Sequence, residues 1–577
     1  MDPSGIRAQV ARILASPAFR SSRRMQRFLA FTVEESLAGR GPQLKETLVG
    51  AAVFDRPPDY DPRTDGIVRV EARRLRSKLR EYYDKHSAPG ELRIEFHPGS
   101  YSPEFAGAPA PAAPPAPSMT RTIAVLPFAS LAAPPETDYF ADGLTQELIY
   151  MLTRVPCLRV IAWNSVNQLR RDSGTAADAS ERLRADTVLE GSVRRSGSRV
   201  RVNAQLTDAA SGVVLWTQAF DRKLEDLLAL QEEIARSIAL ALQVRFDAGQ
   251  NAFLAHATGS LEAYSLYLQG RHAWNRRTEE GLRQSVVLFE RAVATDPDCA
   301  VAHAGLADAY SLLCDFGFES AARSIPMARR AAERALVLDS TLAEAHNSLG
   351  FVVSMHDWDW AEGERRYLRA IELRPSYATA HHWYACDLLG YQSRWEPALA
   401  GMATAIALDP LEPSVVESEN YIYLMARQYE EAERRYILLR QQWPGFWKTY
   451  SGLARVLSFQ GRFAEAIEML ERSRAIVGDT PAVLAAFGHI HGMSGDRATA
   501  RKLLERLSEL ALHRNVAHVT FAIAHLGTGE RDRALDRLEQ AAEARELQLV
   551  PIAVHPIYDE LRGYARFDRL VKRIGLA

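Results

Sequence analysis

Between Ile67 and Tyr83 the chain reads IVRVEARRLRSKLREYY, a run that carries Arg69, Arg73, Arg74, Arg76, Lys78 and Arg80, with Glu71 the one acid from 69 to 80. A guanidinium is a permanently charged planar fork that pairs two-pronged with a phosphate or with the O6/N7 edge of guanine. At ~100° per helical residue, Arg69, Arg73, Arg76 and Arg80 fall within an arc of roughly 60°, and Arg74 and Lys78 lie beyond it. Val68, Ala72, Leu75, Leu79 and Tyr83 form a second, apolar stripe. The pattern predicts a helix that buries one side and offers a cationic row beside it, whose chemistry is polyanion binding. Asp65 or Thr64, in DPRTD, would cap its start. An ordinary solvated basic face, paired with acidic surface elsewhere in the chain, is the competing reading.

Two amphipathic segments precede this helix, RMQRFLAFTVEESLA and QLKETLVGAAVF, and two alternating strands follow it, ELRIEFH and SYSPEF, joined at Pro98-Gly99. Three helices and a hairpin is the order of a winged helix, in which the third helix enters the major groove and the hairpin touches the backbone. The stretches VRVEARRLRSKL and HPGSYSPEF resemble the recognition helix and wing of OmpR/PhoB-type DNA-binding domains, over about 85 residues from Ser22 to Phe105. The resemblance implies that Arg69, Arg73, Arg74, Arg76 and Arg80 contact DNA and that Ser100 and Tyr101 sit on the wing; Lys78 joins the same candidate surface. That family carries a small sheet before its first helix, whereas SGIRAQVARILASPAF reads as helical here, and the loop DRPPDYDPRTD is long and acidic.

The chain as a whole is no polycation: 70 Lys and Arg stand against 72 Asp and Glu among 577 residues. The first 106 residues hold 18 basic and 14 acidic side chains, net +4, which leaves 52 against 58, net −6, for the remainder. Any nucleic-acid role is therefore local. Cys157, Cys299, Cys314 and Cys386 show no paired or zinc-ligand spacing, which fits thiols in a reducing compartment. No signal-type apolar core opens the chain and no run reaches the ~18 apolar residues of a membrane span. The expectation is a cytoplasmic protein without a membrane partner.

AGAPAPAAPPAPSMT divides the chain. It cannot build a core, and as polyproline II at ~3.1 Å per residue it spans up to roughly 40 Å. The expected domains are a winged-helix-like DNA-binding domain over 1–105, a linker over 106–120, an α/β domain over 121–250, a helical repeat array over 258–550 and a closing segment over 551–577. In the α/β part, TIAVLPF and LRVIAW read as strands. DYFADGLTQELIYMLTRV reads as a helix with Leu144, Leu148, Met151 and Leu152 on one face. ADTVLEGSVRRSGSRVRVNAQLTDAASGVVLWTQAFDR reads as three antiparallel strands turning at Ser196-Gly197 and Ser211-Gly212, and LEDLLALQEEIARSIALALQ as a closing helix. IAVLPFASL and VLEGSVRRSGSRVRVNAQLTDAASGVVLWTQAFDR resemble the TolB N-terminal-like domain. Asp142, Glu147, Asn164 and Glu190 are candidates to line a pocket there, with surface and turn roles as the plainer alternative.

Downstream, Pro375, Pro410 and Pro444 close helices 35 and 34 residues apart, and Gly478 continues the step at 34. That period is the mark of tetratricopeptide (TPR) repeats, about seven or eight here. Ala454, Gly461, Ala466 and Ser473 supply small residues among Tyr450, Leu453, Leu457 and Leu470. The pairs Tyr367 with Ala370, Tyr436 with Ala432 and Phe289 with Ala292 hold matching places. Such an array binds protein or peptide clients on its concave face. The tail HPIYDELRGYARFDRLVKRIGLA reads as a cap on the last helix face.

Phosphate-loop, dinucleotide, nucleophile-elbow and zinc-helix signatures are absent. Asp59, Asp61 and Asp65 lack the rest of a calcium loop. His381-His382 point ~100° apart on a helix, and with His489 and His491 they read as packing residues. No catalytic, cofactor or metal residue is expected, and the chain is expected not to be an enzyme. The fold class is multidomain: winged helix, α/β domain, then an α-solenoid of TPR helix pairs. The function is that of a DNA-binding regulator with a protein-binding array; the alternative is a scaffold whose basic helix contacts a protein.

Overall fold

The computed structural model describes residues 3–576 apart from 21, 39, 58–59, 62–64, 86–91, 97–99, 107–120, 132–137, 156–157, 170–175, 197, 224–225 and 243–259. The chain divides into two compact units, Met1–Ala116 and Pro117–Ala577. Nearly all of the proline- and alanine-rich tether, and Pro98-Gly99, Gly197 and Thr64, lie outside the described residues.

The first unit is helical with one hairpin. Its helices are α1 (Pro3–Ala15), α2 (Pro17–Arg20), α3 (Arg23–Leu37), α4 (Glu46–Phe54) and α5 (Ile67–Lys85). Strands β1 (Arg93–Glu95) and β2 (Glu104–Ala106) pair antiparallel, Ile94 opposite Phe105. α1 and α2 occupy the place where the resembled family has a sheet, and they bury Ile6, Ile13 and Phe19 in a common core with Phe28, Leu29, Val49, Leu75 and Ile94. Phe28 sits edge-on to Phe54 at 5.5 Å and to Phe96 at 6.5 Å, which ties α3, α4 and the hairpin together.

The second unit opens with a mixed sheet ordered β5-β3-β6-β7-β8, with β4 beside β6. Its strands are β3 (Arg121–Val125), β4 (Ala129–Ser130), β5 (Leu158–Val160), β6 (Thr187–Ser196), β7 (Arg199–Asp208) and β8 (Val214–Lys223). β3 runs parallel to β5 and β6, and accordingly Ile123, Ala124 and Val125 are buried on both faces. β6, β7 and β8 are antiparallel, and β7 alternates, with Val200, Val202, Ala204 and Leu206 inward. Helices α6 (Asp138–Thr153), α7 (Trp163–Leu169), α8 (Ala176–Leu183) and α9 (Leu227–Ala241) accompany the sheet. Leu144, Leu148, Met151 and Leu152 of α6 are all buried.

Among the described residues, eight helix pairs then follow: Leu261–Asn275 with Glu279–Thr295, Ala300–Asp315 with Ala321–Leu338, and Ala343–Val352 with Trp360–Leu373; Ala378–Trp383 with Trp395–Leu408, Pro413–Met425 with Tyr429–Gln442, and Trp447–Phe459 with Phe463–Val477; and Pro481–Met493 with Arg497–Leu510, and His518–Thr528 with Arg531–Glu543. The first helices of the third and fourth pairs continue as π-helical turns, Val353–Asp357 and Tyr384–Gly390. Thr278, Asp359, Thr480 and Asp496 cap helix starts by accepting from a backbone N–H three residues on. The periodic small residues have a steric role. A Cβ on Gly350 would lie 3.1 Å from the Tyr367 ring, one on Gly452 2.3 Å from that of Tyr436, and one on Gly270 2.4 Å from that of Phe289. Gly461 does not belong to this set: it sits exposed in a turn at φ +79°, so its task is backbone conformation rather than helix approach.

The α/β domain is seated on the turns between helix pairs. Ala162 N–H donates to the Leu408 carbonyl at 2.8 Å, and the Ser376 hydroxyl donates to the Leu158 carbonyl at 2.9 Å. Ser165 donates to the Asp409 carboxylate through its hydroxyl and, at 3.1 Å, through its N–H; its oxygen accepts from Leu411 N–H at 2.9 Å.

The closing segment does more than cover the last helix face. Arg566 does pair with Asp536 and Glu539 of the eighth pair. Yet residues 547–576 also run back along the array. Gln548 Nε2 donates to the carbonyls of Cys314 and Asp315, Arg545 Nη1 to those of His356 and Asp357, and Trp360 Nε1 to Ile574 O at 2.7 Å. Asp559 pairs with Arg427, and the His555 ring lies against Tyr421 and Phe459. The segment therefore straps the second, third, fifth and sixth pairs to the eighth. Among the described residues, no helix is long and apolar enough to cross a membrane.

Candidate nucleic-acid interface

α5 starts where Ile67 N–H donates to Asp65 Oδ1 at 3.0 Å. Val68, Ala72, Leu75 and Leu79 are buried as the periodicity requires, but the seam ends on Tyr82, 3% exposed, and not on Tyr83. On a helical wheel Tyr82 falls inside the apolar arc, while Tyr83 falls between it and the arginine row. Tyr83 instead braces the hairpin: its hydroxyl accepts from Ile94 N–H at 2.8 Å and donates to the Leu92 carbonyl at 3.3 Å, under the Arg93 guanidinium.

The cationic residues separate into three settings. Arg73 is exposed and Arg76 half-exposed, and both lie on the row facing away from the seam. Arg69 Nε lies 3.2 Å from Glu46 Oε1 of α4, a charge pair rather than an aligned hydrogen bond. Tyr101 comes to the same spot; burial, then the Glu46 carboxylate, pushes its phenol above the ordinary tyrosine value. Arg74 turns back on Glu71 at 2.7 Å, and that pairing accounts for an acid only 7% exposed in this helix. Lys78 is half-exposed on the far side of α5, and the Arg80 side chain lies outside the described residues. Ser100 shapes its own turn by accepting from Ser102 N–H at 3.1 Å. The structure thus brings Arg69 and Tyr101 together around Glu46 and leaves Arg73 and Arg76 outward. Sequence reasoning missed Glu46 as a neighbour of Arg69, because nothing in linear spacing places the first turn of α4 against the first turn of α5.

The four pocket candidates of the α/β domain also separate. Glu147 and Asn164 line one cavity. Asp142 is buried 3.9 Å from His272 Nδ1, and Glu190 accepts from Gln205 on the sheet. Burial raises the Glu147 carboxyl to about 7. In the array, His381 Nε2 lies 2.8 Å from the Pro375 carbonyl and His382 Nε2 2.8 Å from Ser418 Oγ, so the two rings engage different partners.

Residues 119–237, essentially the sheet domain with its helices, match the second domain of HilA/YgeH-like transcriptional regulators, and residues 423–488 match a tetratricopeptide repeat. The chain therefore combines a regulator-type domain with a TPR array. Among whole proteins, it is 35% identical over 266 residues to "Putative adenylate cyclase 3" of Rhizobium meliloti, covering 45% of this chain and 44% of that one. It is 25% identical over 304 residues to the transcriptional regulator HilA of Salmonella typhimurium, covering 52% of each. The chain spans about half the length of the curated relatives it matches. Among solved structures, Pseudomonas aeruginosa PilF matches 38% of this chain and 96% of its own at 18% identity, with a TM-score of 0.28. The expectation of a non-enzymatic chain is corrected by the first relative, which bears an enzyme's name. A search for short linear catalytic signatures does not test for chemistry spread over a fold.

Proposed function

We propose that this chain is a cytoplasmic transcriptional regulator whose first unit binds DNA in winged-helix fashion through α5, with Arg73 and Arg76 on phosphates or guanine edges, and whose array binds a protein partner. The observation that carries the reading is the outward pair Arg73 and Arg76 beside a fully buried seam; the HilA-like second domain supports it. The middle domain keeps its wording-level likeness to TolB N-terminal-like domains and acts as the element between reader and array. The test is selection of genomic DNA fragments by the full chain, followed by titration at several salt concentrations. Saturable, salt-sensitive binding supports the reading, and absence of binding at low salt ends it.

A second reading is carried by the cyclase-named relative: the chain takes part in nucleotide cyclisation. Incubation with ATP and a divalent metal, with cyclic AMP as readout, decides it.

A further inference from the structure

Where α6 and α7 meet the first, third and fourth helix pairs, the second unit encloses a cavity of about 100 Å³. Its wall is unusual in what it leaves unsatisfied. Gln146 Nε2, Trp274 Nε1, Arg374 Nε and Tyr377 Oη all lack a hydrogen-bond partner, although Trp274 is 2% and Tyr377 5% exposed. Buried donors are nearly always paired in folded proteins, so four orphans on one wall mark a missing guest. Against these donors stands a single orphan acceptor in the wall, Glu344 Oε2, whose other oxygen already engages Arg374.

The donor excess selects the guest's chemistry. Arg374 and Arg271 supply fixed positive charge, Arg271 from 3.1 Å beside Asp308. The aromatic faces do not form a cage for a cation, because the protein's own guanidiniums already cover them: Arg374 lies 4.9 Å over Tyr150 and 4.3 Å over Tyr377, and Arg271 lies 4.2 Å over Trp274. The volume suits a handful of heavy atoms and excludes a nucleotide or peptide. We infer that the cavity is a binding site for a small organic oxyanion, a carboxylate or a phosphate ester, held by Arg374, Tyr377, Trp274 and Gln146. Because α6 supplies one wall and the array the other, the bound anion fastens the α/β domain to the repeats.

The test uses the full chain with succinate and with inorganic phosphate as probes, read by calorimetric titration and by the thermal midpoint. The variants Tyr377→Phe and Gln146→Leu each remove an orphan donor without breaking an existing bond of that atom, so both retain the fold. The expected result is saturable binding of one probe, a raised midpoint, and affinity lowered roughly tenfold in each variant. Succinate binding alone assigns a carboxylate, and phosphate binding alone a phosphate ester. The inference is overturned if neither probe binds up to ~10 mM, or if both variants bind as tightly as the parent. A midpoint that rises in Tyr377→Phe with no probe binding in the parent identifies a cavity filled only by water, which also overturns it. The cavity lies wholly within Pro117–Ala577, so the outcome is independent of DNA binding.

Discussion

Arg69 Nε stands 3.2 Å from Glu46 Oε1, so the first arginine of the row is neutralised within its own unit, while Arg73, one turn on, faces outward. The row is therefore graded in availability, although its residues look alike in sequence.

That grading predicts unequal effects on DNA binding. Arg73→Ala and Arg76→Ala should each flatten the log–log salt dependence by ~0.9 per lost phosphate contact, whereas Arg74→Ala, whose guanidinium already serves Glu71, should change it less. Glu46→Gln should tighten binding, because it frees Arg69 and removes a carboxylate from the phosphate side. Its cost in stability should stay within ~1 kcal/mol, as for other partly exposed ion pairs. Fluorescence anisotropy across a salt series checks all four variants.

Ser165 is the joint between the α/β domain and the array, since it serves Asp409 and Leu411 at once. Ser165→Ala leaves a buried carboxylate oxygen and a buried N–H short of a partner, at about 2–4 kcal/mol in total. Calorimetry should show the single unfolding transition of the second unit split into two, with α7 becoming cleavable in limited proteolysis. A single unshifted transition would contradict the assignment.

Stability should depend on pH through Glu147. Its folded pKa, about 7, exceeds the ordinary 4.5, so the folded state binds more protons between those values. This contribution is whole below pH 4.5, shrinks as pH rises, and is lost above pH 7. At 1.36 kcal/mol per unit it amounts to about 3 kcal/mol at most. Burial lowers His489 to about 4, which gives the opposite slope below 6.5. The difference between Glu147→Gln and the parent cancels that term and should isolate a rise in the variant's relative stability from pH 4.5 to 7. Urea midpoints across this range provide the measurement.

Two glycines set the closest approach in the array. A Cβ on Gly492 would lie 1.9 Å from Gly527 O, and one on Gly527 2.3 Å from Gly488 O, backbone against backbone. Gly527→Ala must push two helices apart and should cost about 3 kcal/mol or more. Gly461→Ala meets nothing within 4 Å and strains only its positive φ, so a loss of about 1 kcal/mol is expected. Chemical denaturation of both variants distinguishes packing from conformation.

The elements were legible wherever local periodicity decides them. The seam Val68, Ala72, Leu75 and Leu79, the α6 face, and the aromatics Tyr367, Tyr436 and Phe289 all lie buried where their spacing puts them. Legibility failed where long-range partners decide. The choice of Tyr82 over Tyr83 depends on a hairpin that recruits the Tyr83 hydroxyl. The parallel pairing of β3 with β5 and β6, the seating of Ser165 on Asp409, and the pairing of Arg69 with Glu46 join residues that no local pattern connects. The strap was missed for the same reason, because its contacts reach back more than two hundred residues, as from Ile574 to Trp360.

That strap has a consequence for biosynthesis. The interior against which Trp360, Tyr421 and Phe459 rest is completed by residues 547–576, which leave the ribosome after every helix they clasp. Until then the growing solenoid exposes an apolar lining, a state that chaperones recognise. Its final curvature is set at the close of translation, in one step, by the piece made last among those that form it.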